Sequence, residues 1–242
     1  INFKDKDIFV QKYHKYLIQR LLEKISTDSQ DIDHFEKKVI VYLKIKLGDK
    51  LVYKLNKVVF DTERTIADNI NFNKIVFKKH NQHNYKMSVM ITSYDNWGIN
   101  QTDGKVNSKT IESIKHTKLG EYLYNYQEYY LLRYYNNRIL NWFPHFGEIN
   151  IEYLEKKIKM LPIQFMILEL FNETDSVLIS DIKSSNFLST YSSTFINKIV
   201  HSFVVSKLFT IRNNYFDLTL VDDFDTNLID VFFSISDFDY EN

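Results

Sequence analysis

Few residues of this chain are of a type and spacing that could do chemistry. His80 and His83, separated by two residues, have a spacing used by zinc ligands. No cysteine accompanies them and no carboxylate lies close by in the sequence, so they read as surface histidines. Asp222, Asp223 and Asp225 could together face a hard cation. The oxygen-rich pattern of a calcium loop is missing around them, which leaves a solvated acidic loop. No Gly-rich phosphate loop and no nucleophile elbow occurs. The absence of cysteine excludes a disulfide framework, thiolate zinc and cysteine catalysis. Arg138 and Trp142 could be taken for a site, but a structural role fits them better, with the Arg paired to a carboxylate and the Trp filling a junction. The residues therefore predict a chain without catalytic chemistry, metal or cofactor of its own.

Composition points the same way. The chain has 242 residues, 44% of them hydrophobic, enough to build one large domain or several small ones. Its formal net charge is zero, a poor basis for a global grip on nucleic acid. The charge is unevenly spread. Residues 1–60 carry 13 Lys/Arg against 8 Asp/Glu, whereas residues 213–242 carry 8 Asp/Glu and no Lys/Arg. No apolar run approaches the ~18 residues of a membrane span, and the charged start (Lys4, Asp5, Lys6, Asp7) is unlike a signal peptide. Only 5 Gly and 2 Pro interrupt the chain, which favours long helices.

Hydrophobic periodicity supplies the elements. Phe9, Tyr13, Leu17 and Leu21 recur every fourth residue in a first helix, over 6–25. Asp33 and Glu36 resemble a capping box that opens a second helix. There Phe35, Val39, Tyr42, Leu43 and Leu47 are assigned to one face, and Gly48 ends it. A third helix carries Leu51, Leu55, Val58, Val59, Ile66 and Ile70. Alternating Met87, Val89 and Ile91 predict a strand, and polar residues 98–118 predict a surface loop or insertion. A helix over 119–136 follows. Ile149, Ile151 and Tyr153, then Ile158 and Met160, predict a hairpin. Pro162 opens a series of three helices ending near Ser206, and a hairpin around Asn213-Asn214 completes the order of a winged helix. A last strand spans Ile229–Ile235, with Ile229, Val231, Phe233 and Ile235 on one face. The expected fold is α+β and mainly helical. It comprises a helical bundle (1–80), a mixed α/β part (81–161), one winged helix (162–222) and a terminal strand and tail (223–242).

Within these elements the chain resembles the C-terminal region of the cullin family. Lys6-Asp7-Ile8-Phe9, Tyr13 and Arg20-Leu21-Leu22 look like the family's first bundle helix. Ile40, Leu43-Lys44, Gly48, Lys54-Leu55 and Asp61 resemble its next helix pair. Asn137-Arg138-Ile139-Leu140-Asn141-Trp142 is similar to its GR-x-L-x-W, and Gln164, Ile167-Leu168 and Leu170-Phe171-Asn172 to its FQ-x-x-IL-x-LFN. These motifs occur in the family's order. Asn137 replaces a Gly, and Gly98 stands after Trp97 where the family has Pro. Arg138, Trp142, Pro144 and Phe146-Gly147 also resemble the cullin-like subunit of the anaphase-promoting complex, the runner-up.

The resemblance implies a non-catalytic, cytoplasmic and nuclear scaffold of a ubiquitin ligase. A RING-box protein would dock by strand addition and recruit a ubiquitin-charged E2. Substrate adaptors would bind through N-terminal repeats outside this chain, and the second winged helix that carries the family's neddylation lysine would lie beyond residue 242. The docking candidates are Met87, Val89, Ile91, Ile149, Ile151, Tyr153, Val231, Phe233 and Ile235. Lys44, Lys46, Lys50 and Lys57 would form a basic surface that steers the E2. A winged helix also raises nucleic-acid binding as an alternative, but the third helix offers only Lys198 and His201, with Lys207 just beyond. No membrane partner is expected.

Overall fold

In a computed structural model the described residues are 5–26, 34–79, 86–97, 104–134, 138–153, 155–218 and 228–231. The fold is α+β and mainly helical. It divides into two compact units, Ile1–Asn100 and Gln101–Asn242.

The first unit is built on α1 (Lys6–Ser26), α2 (His34–Leu47) and α3 (Asp49–Lys79). Leu17, Ile18 and Leu21 of α1, Ile40 and Leu43 of α2, and Val52, Leu55 and Val58 of α3 are buried. Gly48 joins α2 to α3 with φ +89, a left-handed conformation that glycine adopts without strain. The apolar face assigned to α2 is partly wrong. Phe35 is 64% and Tyr42 57% exposed, because the helix is oriented by Ile40, Leu43 and a buried Glu36. Asp33, the N-cap of the expected capping box, lies outside the described residues. The Glu36 carboxylate crosses to α1 and accepts from Tyr13 Oη (2.8 Å) and from Arg20 Nε (2.5 Å) and Nη2 (3.1 Å). The second half of α3 is also turned from the expected face. Ile70 is 36% exposed, while Thr62, Thr65, Asp68 and Asn69 are buried. After α3 come an extended segment, 86–92, and the short helix α4 (Tyr94–Trp97), which packs on α3.

Residues 98–118 are expected to form a surface loop, yet from residue 104 onward they are built into the fold. Gly104 donates to the Thr190 carbonyl (3.1 Å), and Val106 and Trp142 exchange both backbone hydrogen bonds (2.8 and 2.9 Å). Asn107 then caps α5 (Ser108–Ser113), which drives Ile111 fully into the core. Its polar residues lie on the outer side of one short helix, which is why composition alone resembles a loop. Thr117 caps α6 (Lys118–Arg133). Gly120 sits so close to the Ile114 carbonyl that an added Cβ would fall 1.9 Å from its oxygen.

Strands β1 (Ile149–Tyr153) and β2 (Lys156–Met160) form the expected hairpin. Its turn is tight: Glu155 takes φ +64 and Lys156 already pairs with Tyr153. The order of a winged helix follows. Pro162 opens α7 (Pro162–Leu168), continued by a turn of 3-10 helix to Phe171. Then come β3 (Ser176–Leu178), α8 (Ile179–Ser184), α9 (Ser193–Val205) and the hairpin β4 (Phe209–Arg212) and β5 (Tyr215–Leu218). Asn213 and Asn214 both have positive φ, the geometry of a type I′ turn. β3 pairs with β5 to complete the small sheet. Stacked Phe171, Phe203 and Phe209, with Phe216, fill its core. Finally β6 (Leu228–Asp230) pairs in parallel with β2.

Candidate functional site

The structure gives Met87, Val89 and Ile91 an unusual partner. They lie on an extended segment, as their alternation predicts, but it joins no sheet among the described residues and runs along helix α3 instead. Four polar residues of α3, spaced by four, take the place of a neighbouring strand. Asn73 Nδ2 donates to the Met87 carbonyl (2.8 Å) and its Oδ1 accepts from Met87 N–H (3.2 Å). One helical turn earlier, Asn69 Nδ2 donates to the Val89 carbonyl (2.8 Å) and its Oδ1 accepts from Val89 N–H (3.1 Å). Next, Thr65 Oγ1 accepts from Ile91 N–H (3.2 Å) and donates to the Asp61 carbonyl in its own helix (2.6 Å). Asp61 Oδ2 closes the series, accepting from Thr92 Oγ1 (2.8 Å) and Ser93 N–H (3.4 Å).

The match of spacings explains why this works. Four helical residues rise about 6.0 Å, and two extended residues rise about 6.6 Å. The two repeats stay in step for the three rungs that the ladder needs. A side-chain amide carries one donor and one acceptor on neighbouring atoms, so Asn69 and Asn73 each imitate a backbone peptide.

This arrangement decides which backbone groups remain open. In an extended chain the N–H and C=O of one residue point to one side and those of its neighbours to the other. Met87, Val89 and Ile91 spend theirs on α3. Ser88 and Met90 therefore direct theirs away from the helix, and neither makes a backbone hydrogen bond to any described residue. Ser88 is exposed and Met90 half-buried. The segment is held along one side by a helix, and on its other side the backbone groups of Ser88 and Met90 meet no described residue, as at the edge of a sheet. Such an edge is a template for another strand. Alternation in the sequence marks Met87, Val89 and Ile91 but not the ladder that holds them, although Asp61, Thr65, Asn69 and Asn73 stand at a constant spacing of four.

The other expected docking residues are not assembled with this segment in one sheet. Ile149, Ile151 and Tyr153 lie on β1, one edge of the sheet β1-β2-β6. Val231 follows β6. It is 2% exposed, its N–H donates to the Lys159 carbonyl (2.9 Å), and its carbonyl accepts from Gln164 Nε2 (2.7 Å). Gln164 is fully buried. It also donates to Ser202 Oγ (2.8 Å) and accepts from Leu161 N–H (2.7 Å), so one amide joins β6, α9 and the start of α7. Phe233 and Ile235 lie outside the described residues.

Of the four lysines assigned to a basic surface, Lys44 is paired with Asp49 (2.8 Å). Lys46 lies over the Tyr42 ring, and Lys57 over the rings of Tyr53 and Phe60. Lys50 is exposed. Among the described residues Arg138 has no carboxylate partner. It donates to Tyr130 Oη (2.8 Å) and lies over the Tyr134 ring, while Trp142 meets Tyr126 edge-on. His80, His83, Asp222, Asp223 and Asp225 lie outside the described residues. Among the described residues no cluster of three or more possible ligands could hold a metal ion, and no helix is long and apolar enough to cross a membrane.

The chain matches no family model, and no curated protein matches it.

Proposed function

We propose that this chain is a non-catalytic scaffold of a cullin-type ubiquitin ligase, and that it docks a RING-box protein by strand addition to the segment 86–92. The observation that carries this reading is the open edge at Ser88 and Met90, backed by the polar ladder of α3. An incoming strand would find backbone donors and acceptors already aligned, with the ordering cost of the receiving strand met by α3. The scaffold would then hold a ubiquitin-charged E2 near substrate and raise its effective concentration, with no chemistry of its own. The order of the sequence motifs supports the same family.

The test uses substitutions that remove only the outward donors. Ser88→Pro and Met90→Pro delete the N–H groups facing away from α3 and leave Met87, Val89 and Ile91 free to keep their bonds. Each should abolish co-purification with a co-expressed RING-box protein while far-UV circular dichroism stays unchanged. Wild-type capture by either variant sinks the strand-addition reading.

The nucleic-acid alternative gains little. The solvent side of α9 offers Lys198, with His201 beside it, and Arg212 on the hairpin lies 3.8 Å from Asp217. Phosphate binding needs more positive charge than this.

A further inference from the structure

We propose that the outer face of α2 is a docking surface for an acidic amphipathic helix of a partner protein. This inference is independent of the strand edge. A bundle helix ordinarily turns one apolar stripe inward and a polar face to water. α2 does not. Beyond its buried Ile40 and Leu43, it carries Phe35, Val41, Tyr42 and Ile45 at 64, 56, 57 and 74% exposure. Val41, Tyr42 and Ile45 line a shallow, mainly apolar groove with the stems of Lys37 and Lys38. From Phe35 to Ile45 the stripe is ten residues long, about 15 Å, which offers three turns of contact to a helix laid along it.

Charge selects the occupant. α2 holds four lysines and one carboxylate, Glu36. That carboxylate points inward and is occupied by Arg20 and Tyr13. Lys37 and Lys44 are paired with Glu63 and Asp49 of α3. Lys38 and Lys46 remain beside the stripe, and no ion pair engages either among the described residues. They stand eight residues apart, about 12 Å along the axis. A second copy of α2 would bring lysine against lysine. A helix with aliphatic anchors flanked by Asp or Glu would meet both the apolar stripe and the charge at its margins.

The experiment uses the full chain and a labelled helical peptide of about 18 residues, with Leu on one face and Glu beside it, read by fluorescence anisotropy. Binding should weaken as salt rises. Ile45→Glu should raise Kd at least tenfold, and the double variant Lys38→Glu, Lys46→Glu should raise it comparably. Ile45 and Lys38 are exposed, so neither change should alter the circular dichroism. Ser88→Pro should leave peptide affinity untouched, which separates this surface from the strand edge. Unchanged affinity in Ile45→Glu, or equal affinity for a scrambled peptide of the same composition, overturns the proposal. So does dimerisation, or sedimentation with phosphatidylserine vesicles, that Ile45→Glu abolishes in place of peptide binding, since the face would then belong to a second copy or to lipid.

Discussion

Two buried polar residues make the sharpest tests at the scale of single side chains. Burial works against a charge on Glu36, but the bonds from Arg20 and Tyr13 outweigh it and hold the carboxyl below its usual range. The same carboxylate and burial push the Tyr13 phenol upward. A depressed carboxyl stabilises the fold above the unfolded pKa, about 4.3, and that contribution fades as pH falls through the folded value. Glu36→Gln keeps the shape and loses the charge. It should cost about 2 kcal/mol in urea unfolding at pH 7, with a smaller deficit below pH 4. Equal deficits at both pH values would mean that Glu36 acts by packing alone. Gln164 is neutral, so its effect should not depend on pH in this way. Gln164→Leu leaves Leu161 N–H and the Val231 carbonyl without partners, a loss of roughly 3 kcal/mol. Hydrogen exchange should rise first around residues 228–231. Faster exchange elsewhere, with that strand still protected, would contradict the role given to this amide.

At the scale of elements, the ladder between α3 and segment 86–92 explains both what was legible in the sequence and what was not. Helices with apolar cores announce themselves by period, and α1, the hairpin β1–β2 and the winged-helix order follow from period and turn residues. Alternation at Met87, Val89 and Ile91 reveals an extended backbone, but it says nothing about what satisfies that backbone. Ile66 and Ile70 set the face expected for the second half of α3. Thr65 and Asn69 set the face that is observed, because unpaired backbone groups on the segment would cost more than two half-exposed isoleucines. The exposed apolar face of α2 is hidden in the sequence for a related reason, since Phe35 and Tyr42 look like core residues until Glu36 is seen to face inward. Asn69→Leu tests the ladder directly. Leucine fills the space but offers no hydrogen bond, so Val89 loses both partners, at a cost of roughly 2–4 kcal/mol or detachment of the segment. Protease cleavage within 86–92 should accelerate. A segment as resistant as before would show that the rungs are dispensable.

Across the whole molecule, the two units should respond to acid through different groups, and the sequence supplies a reporter for each. Trp97 lies in the first unit and Trp142 in the second, and they are the only two tryptophans. In the second unit His145 is 3% exposed, ringed by Phe143, Phe146, Tyr191 and Phe195, with Nδ1 3.0 Å from Tyr191 Oη. Burial pushes its pKa down to about 3. A histidine kept neutral in the fold but free to protonate when unfolded makes stability fall as pH drops below about 6.5, and the loss continues down to the folded value. The full penalty is on the order of 5 kcal/mol. In the first unit, burial also lowers the pKa of His14, with the Asn96 backbone opposing and Lys54 adding to the effect. Glu36 contributes there only at lower pH. Single-tryptophan chains, Trp97→Phe and Trp142→Phe, allow urea unfolding to be followed unit by unit between pH 7 and 4. His145→Asn removes the titrating ring while keeping a polar atom near Tyr191. It should flatten the acid dependence reported by Trp142 and leave that reported by Trp97 unchanged. An undiminished slope at Trp142 would place the acid sensitivity of the second unit on some group other than His145.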